Sequence, residues 1–341
     1  MNTTLLDRRS LLLGVAATLG AAAWPRLAHS QSTQPAQQAQ PAQTAPLRLL
    51  CGAPAGSIPD IIARRYAEQL GSRLAGPVLV ENRPGAGGQI AIAALKQTPP
   101  ASGTLMLTSG AVASVFPYLY TKLAYDPAAD LKPVSVAAES ALALAVGPAV
   151  PANVNSVRTF TDWLRANPAQ ANFGSPGIGT LPHLLTAMLM RETQLEWQHV
   201  AYVGGPPALI DLLGGRLAGL VLPEGLLRPH LAAGKLRLLA TSGASRSEFM
   251  PDVPTFTEQG HASLVVREWF GFFMHGDTPA AMAEAASKAI REAAGTDALR
   301  RALAETAMLA VASSPADMAT RIAAEQPRWR GVLRDTGIRV E

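Results

Sequence analysis

Leu47-Arg48-Leu49-Leu50-Cys51 runs straight into Gly52-Ala53-Pro54-Ala55-Gly56-Ser57-Ile58-Pro59-Asp60, and the stripe Ile58, Ile62, Tyr66 and Leu70 follows at four-residue spacing. A short apolar run, a glycine- and proline-bearing turn and one apolar helix face make a strand-turn-helix unit. The unit recurs: Pro77 to Val80 reads as a second strand, Gln89 to Lys96 as a second helix and Thr104 to Thr108 as a third strand. Such a rhythm needs crossover connections, so the expected class is α/β with a largely parallel sheet. A second cycle begins with a strand at Ala141–Val146. It continues through helix 158–166, strand 171–174, helix 182–191, strand 197–202, helix 206–213 and strands near 217–222 and 235–241. Val265–Met274 is a further apolar segment. Three helices close the chain, started by Thr278-Pro279, by Thr296, and by Ser314-Pro315 with Asp317 completing a capping box. Pro327 is expected to kink or split the last of them.

The chain has 341 residues, which suggests about two domains. With a formal charge of +4, 16% charged residues and 48% hydrophobic residues, it is no disordered polyelectrolyte and has ample material for a core. The mild charge and the lack of a Lys/Arg stripe argue against a nucleic-acid partner. The single cysteine, Cys51, excludes an intramolecular disulfide and a four-cysteine zinc site, and none of the 6 histidines stands in HExxH spacing. No metal and no cofactor is expected. Residues 1–30 read as a signal peptide: Arg8-Arg9, the apolar run Leu11 to Ala23, then Ala28-His29-Ser30. The Arg8-Arg9 pair suits the twin-arginine route as well as the general secretory one. Residues 31–46, rich in Gln, Pro and Ala, read as a disordered linker. No later apolar stretch reaches membrane-spanning length, so a soluble, monomeric mature chain in the periplasm is expected.

The informative residues lie in four turns that each lead into a helix: Gly52 to Asp60, Asn82 to Gly88, Gly174 to Thr180, and Gly204-Gly205-Pro206-Pro207. In a parallel sheet such turns lie beyond the carboxyl ends of the strands, where α/β proteins bind ligands. Each precedes a helix N-terminus, whose unpaired N–H groups and dipole favour an anion. Any α/β protein needs glycines at such junctions, yet four of them, two in each half of the chain, point to a cleft between lobes. Nucleotide and nucleophile motifs are absent: there is no GxGxxG, no GxxxxGK[ST] and no GxSxG. His183 sits in a first turn, either donating to an anion or standing in solvent. Asp60 either caps its own helix or accepts from a ligand ammonium or a water. Trp269-Phe270-Gly271 is either a core pair or a cleft wall.

Several longer runs sharpen this reading. Glu81-Asn82-Arg83-Pro84-Gly85-Ala86-Gly87-Gly88, Tyr118 to Pro127, Gly174 to Thr180 with Pro182-His183, Ala208 to Gly215, Pro251 to Thr255 and Trp269-Phe270-Gly271 stand in an order that resembles the Bug family. These are the extracytoplasmic receptors of tripartite tricarboxylate transporters. The resemblance covers about residues 47 to 341. It implies a type II periplasmic binding protein fold, with two α/β lobes joined by two hinge crossings: lobe 1 at 47–144 and 269–341, lobe 2 at 145–268. It implies a small organic acid as ligand (a di- or tricarboxylate, an acidic amino acid or an aromatic acid) and permease subunits as membrane partners. Carried onto this chain, the ligand-binding residues are Ala55, Gly56, Ser57, Ile58, Pro59 and Asp60 in the first turn. Ser175, Gly177, Gly179, Thr180 and His183 follow in the second lobe. Ser109, Gly110, Tyr202, Gly204 and Gly205 line the cleft.

The first turn departs from the family pattern. Ala55 adds a Cβ, Ile58 and Pro59 add bulk, and Pro59 removes a backbone donor. Acidic residues usual after Gly214-Gly215 are replaced by Ala218-Gly219-Leu220-Val221-Leu222-Pro223-Glu224. The expected function is a solute receptor for transport. A ligand sensor for a signalling protein is the alternative, and a secreted α/β hydrolase the remote one, since no nucleophile stands at a recognisable spacing from a base.

Overall fold

The structure, a computed structural model, describes residues 46–74 and 76–341. The signal peptide read at 1–30 and the linker at 31–46, Pro46 apart, lie outside the described residues. The first cycle takes the expected form. Strands β1 (Leu47–Cys51), β2 (Val78–Asn82) and β3 (Leu105–Ser109) run parallel, and helices Ile58–Leu70 and Gln89–Lys96 make the crossovers. Tyr66 fastens its helix beneath the strands: its hydroxyl donates to Ala137 O at 2.7 Å and its ring meets Phe272 edge-on.

The remaining strands are β4 (Leu131–Val146), β5 (Asn172–Ser175), β6 (Gln198–Ala201), β7 (Gly219–Pro223), β8 (Arg237–Thr241), β9 (Arg267–His275) and β10 (Leu309–Ala310). One sheet has the order β2-β1-β3-β9-β4, with β10 on the far edge of β4; the other has β4-β7-β5-β6, with β8 on the far side of β4. The two therefore share β4. Its residues Leu131–Ala141 pair with β9, and Leu142–Val146 pair with β7 and β8. Only 141–146 reads as strand from the sequence. The earlier part carries Pro133, Ser135, Glu139 and Ser140, and register shifts at 133/135 and 136/138 break the two-residue alternation. The largely parallel sheet also needs correction. Every pairing made by β4, and that of β9 with β3, is antiparallel, because β9 returns the chain from one sheet to the other.

Helix Glu224–Ala232 is not evident in the sequence, since Gly225 and Pro229 interrupt it. The last three helices start where expected, with Thr296 Oγ1 accepting from Leu299 N and a capping box on Ser314 and Asp317. The final helix, Pro315–Thr336, is not split at Pro327. Pro327 and Ala323, the residue whose carbonyl it leaves free, are both exposed, so the orphan carbonyl lies on the solvent side, while Met318, Trp329 and Leu333 hold the opposite face in the core. This helix also grips the shared strands. Trp269 Nε1 donates to the Glu325 carboxylate at 2.9 Å, and Arg321 pairs with both Glu325 and Glu139. Trp269 is thus a core residue.

Where the chain passes between sheets, Ser242 ties the passages together. Its N–H donates to Leu142 O (2.8 Å), and Leu142 N–H donates to Ser242 Oγ (2.9 Å). Its hydroxyl donates to Val266 O, and Val266 N–H donates back to Ser242 O (2.9 Å). Ser242 is fully buried. Ser242→Ala leaves one buried N–H and one buried C=O unpaired, so it should cost about 2–5 kcal/mol. Denaturant unfolding measures this, and an unchanged midpoint would show that the bonds at this crossing are not needed for stability.

Candidate functional site

A cavity of ≈ 330 Å³ lies between the turns of the two sheets. From the first sheet come Pro54 and Ser57–Pro59 after β1, the glycines Gly85, Gly87 and Gly88 after β2, and Thr108 and Ser109 at the end of β3. From the second come Pro176, Gly177, Ile178 and Thr180 after β5, and Ala201 to Gly205 after β6. Helices Ile58–Leu70, Gln89–Lys96, Leu181–Glu192 and Gly205–Leu213 begin in these turns. Among the hydrogen bonds of the described residues, the backbone N–H groups of Ile58, Ile178 and Gly205 find no acceptor. All three residues line the cavity, so donors from both sheets are available to a ligand.

The residues singled out from sequence divide into two sets. Ser57, Ile58, Pro59, Ser109, Gly177, Thr180, Tyr202, Gly204 and Gly205 line the cavity. Tyr202 is oriented by Asp211, which accepts from its hydroxyl at 2.6 Å; burial, then this bond, pushes its pKa up to about 12. The others stand behind the wall. Ala55 and Gly56 are exposed. Asp60 follows neither of its sequence readings: no backbone N–H of its own helix bonds to it, and it accepts instead from Gly56 N in the turn (2.9 Å), Arg64 Nε (3.1 Å) and Asn82 Nδ2 (2.8 Å), and so fastens the first turn to β2. Burial works to raise the Asp60 pKa, but these donors outweigh it and hold the carboxyl below its usual range. Gly110 lies against Trp269, whose ring a Cβ would meet at 2.1 Å. Ser175 accepts from Gly177 N (3.2 Å) and bonds His199 Nε2 (2.7 Å).

Two glycines mark where the turns of the two sheets touch. Gly204 has φ +92°, and a Cβ there would lie 2.6 Å from Pro54 Cγ. Gly179, with φ +75°, packs on Leu119 so closely that a Cβ would lie 1.9 Å from it. Only glycine fits both the left-handed backbone and the approach.

His183 follows neither of its sequence readings. It is buried, its Nδ1 accepts from Gly179 N at 3.1 Å, and its ring stacks on His199 with centroids 3.8 Å apart. Burial, then the neighbouring His199, pulls His183 down to about 3, and burial pulls His199 down to about 4. A neutral pair therefore supports the Gly174–Thr180 turn from behind.

Lining residues outside the set of ligand-binding candidates include the Gly85–Gly88 turn, Tyr120, Leu222, Leu226, Phe270 and Glu268. The Gly85–Gly88 turn carried a signal, being one of the four glycine turns. Phe270 takes the cleft-wall option left open for its pair. Glu268 carried none; its position on the wall follows from the register of β9 against β3 and β4. Among the described residues, no Lys, Arg or His lines the cavity, and Glu268 is the one acidic residue there.

The family model described as "Tripartite tricarboxylate transporter family receptor" matches residues 62–338. Protein BugT of Bordetella pertussis (strain Tohama I) is 31% identical over 297 residues, spanning 87% of this chain and 90% of that protein. The chain belongs to this receptor family. Members are solute-binding proteins, not enzymes. Among solved structures, that of R. palustris Rpa4515 with adipate is similar at TM-score 0.82 and 28% identity, covering 86% of this chain and 98% of that one. The periplasmic binding protein BugD, at TM-score 0.81 and 22% identity over 87% and 99% of the two chains, shares the fold. The type II periplasmic binding protein architecture expected from the motifs is the one observed.

For the receptor's stability, the histidine pair has a definite sign. A histidine held neutral in the folded state contributes stability above 6.5, its ordinary value, and loses it as pH falls towards about 3 and about 4. Glu224 and Glu268, raised by burial to about 7 and about 8, act oppositely, so the test is a difference between proteins. Relative to His199→Gln, the wild type should lose unfolding free energy steadily as pH drops from 6.5 towards about 4. Parallel pH curves from chemical denaturation would mean that His199 titrates normally in the fold.

Proposed function

We propose that this chain is a periplasmic receptor that takes a small organic carboxylate into the cavity and presents it to the membrane subunits of a tripartite transporter. The observation that carries this reading is a cavity between two sheets into which four helix-leading turns open, with unpaired N–H groups from each side and, among the described residues, no cationic side chain on the wall. An anion there is held by main-chain donors and helix dipoles. The magnitudes suffice: a hydrogen bond to a charged group is worth roughly 1.5–3 kcal/mol, and a micromolar complex needs about 8 kcal/mol. Three such bonds, with apolar contact on Ile58, Leu222, Leu226 and Phe270, reach that range. The related Rpa4515 was solved with adipate, which supports a carboxylate of this size here. Two bodies, 47–144 with 269–341 and 145–268, close by hinge motion at β4 and the Ser242 crossing. Pro59 supplies no N–H to the cradle, so the Ile58 N–H is the donor that the first turn keeps at its helix start.

Calorimetry of the mature protein against adipate, malate, citrate, glutamate and benzoate tests this, with micromolar binding of at least one expected. Gly204→Ala should leave the circular dichroism spectrum unchanged and weaken that binding by about tenfold or more, because its Cβ meets Pro54 and holds the turns apart. Failure of all five acids to bind would remove the reading, and undiminished affinity in Gly204→Ala would remove the closed contact from it.

A further inference from the structure

The wall of the cavity holds one group that main-chain anion binding leaves unused. Glu268 is 5% exposed, it lines the cavity, and its Oε2 is buried with no hydrogen-bond partner. A buried carboxyl without a partner is costly, and an ionised one far more so. The surroundings offer little compensation. From β3, the Ser109 hydroxyl is the one polar group that acts on it. From β4, the residue paired with it is Ser140, whose hydroxyl donates to Ala141 O. On β9 itself, the preceding residue, Arg267, is exposed and lines a separate crevice with Glu139 and Glu224. From the remaining walls, the titratable groups are the phenols Tyr120 and Tyr202, both raised by burial and neutral at physiological pH. Among the described residues lining the cavity, no charged side chain stands against Glu268. Burial raises its pKa to about 8, so the carboxyl is protonated in the empty cavity at neutral pH.

We propose that Glu268 is a specificity-determining residue that meets the ligand as a neutral acid, donating its proton to an oxygen of the bound carboxylate. This rests on the carboxylate reading above and adds to it. The donor set is then main-chain N–H groups at the turns and one carboxylic O–H on β9. An ionised Glu268 would repel the same ligand, so capture weakens as the group ionises. A ligand that placed an ammonium or amide N–H at this wall would need the opposite state, with Glu268 ionised as an acceptor.

The test combines pH with two substitutions. Calorimetry with adipate, citrate and benzoate is run from about pH 6 to about pH 10 on wild type, Glu268→Gln and Glu268→Ala, with thermal melts to verify folding. In the wild type, the affinity for whichever acid binds should be flat at low pH and fall by up to about tenfold per pH unit above about 8. Glu268→Gln still has an N–H to donate, so it should bind within about threefold of wild type at neutral pH and lose the alkaline fall. Glu268→Ala should bind about 10- to 100-fold more weakly. Difference infrared spectroscopy of the unliganded protein at neutral pH should show the C=O stretch of a protonated carboxyl that Glu268→Gln removes. Affinity that rises above pH 8, with 6-aminohexanoate binding tighter than adipate and Glu268→Gln weakened, would overturn the proposal in favour of an ionised acceptor. Affinity indifferent to pH and to both substitutions, or no such infrared band, would overturn it while leaving the carboxylate receptor standing. Absence of any acid binding to the wild type would instead remove the receptor reading, and this proposal with it.

Discussion

A single strand is hydrogen-bonded into both sheets, and the site depends on that constraint. β4 pairs with β9 up to Ala141 and with β7 and β8 from Leu142 onward. The two sheets are therefore tied to each other through one strand at the point where the partners change. Ser242 sits at that point and closes it from the other passage, through Leu142 on one side and Val266 on the other. These buried ladder bonds hold the two sheets at one crossing and bring four turns to one cavity.

The cavity follows from that arrangement. Its donors are main-chain groups at helix starts, and these cost no side-chain entropy when they bind. They also have fixed direction, because the turns are fastened from behind. Asp60 bonds the first turn to β2 through Asn82, and His183 with His199 bolsters the Gly174–Thr180 turn as an uncharged stack. The titratable residues in these motifs are thus part of the scaffold. A charged His183 behind the turn would favour an anion only at the expense of a buried, unpaired imidazolium.

Much of this was legible in the sequence, and the exceptions have physical reasons. Helix starts were clear where a capping residue stands, as at Thr296 and at Ser314 with Asp317. The glycine turns were clear because left-handed backbone and close approach demand glycine, as at Gly179 and Gly204. The first ten residues of β4 were not, because bulges defeat the alternation that announces a strand. Within the motifs, spacing identified the turns but not the direction of each side chain, so Asp60, Gly110 and His183 read the same whether they face the ligand or the core. Glu268 had no local signature at all; only long-range pairing of β9 places it at the wall.

The contacts between the two sets of turns give the absence of cations its meaning. Gly204 against Pro54 and Gly179 against Leu119 bring the turns together with no room for a side chain between them. Contact of this kind expels water, and in a dry space a hydrogen bond from an amide to an anion gains strength as the dielectric constant falls. A lysine or arginine in the same space would need its own desolvation repaid by every ligand admitted, and would hold anions indiscriminately. On the function proposed above, amides on both sides of the space act only when the turns meet, and recognition of the acid is coupled to closure, the change of shape offered to the membrane subunits.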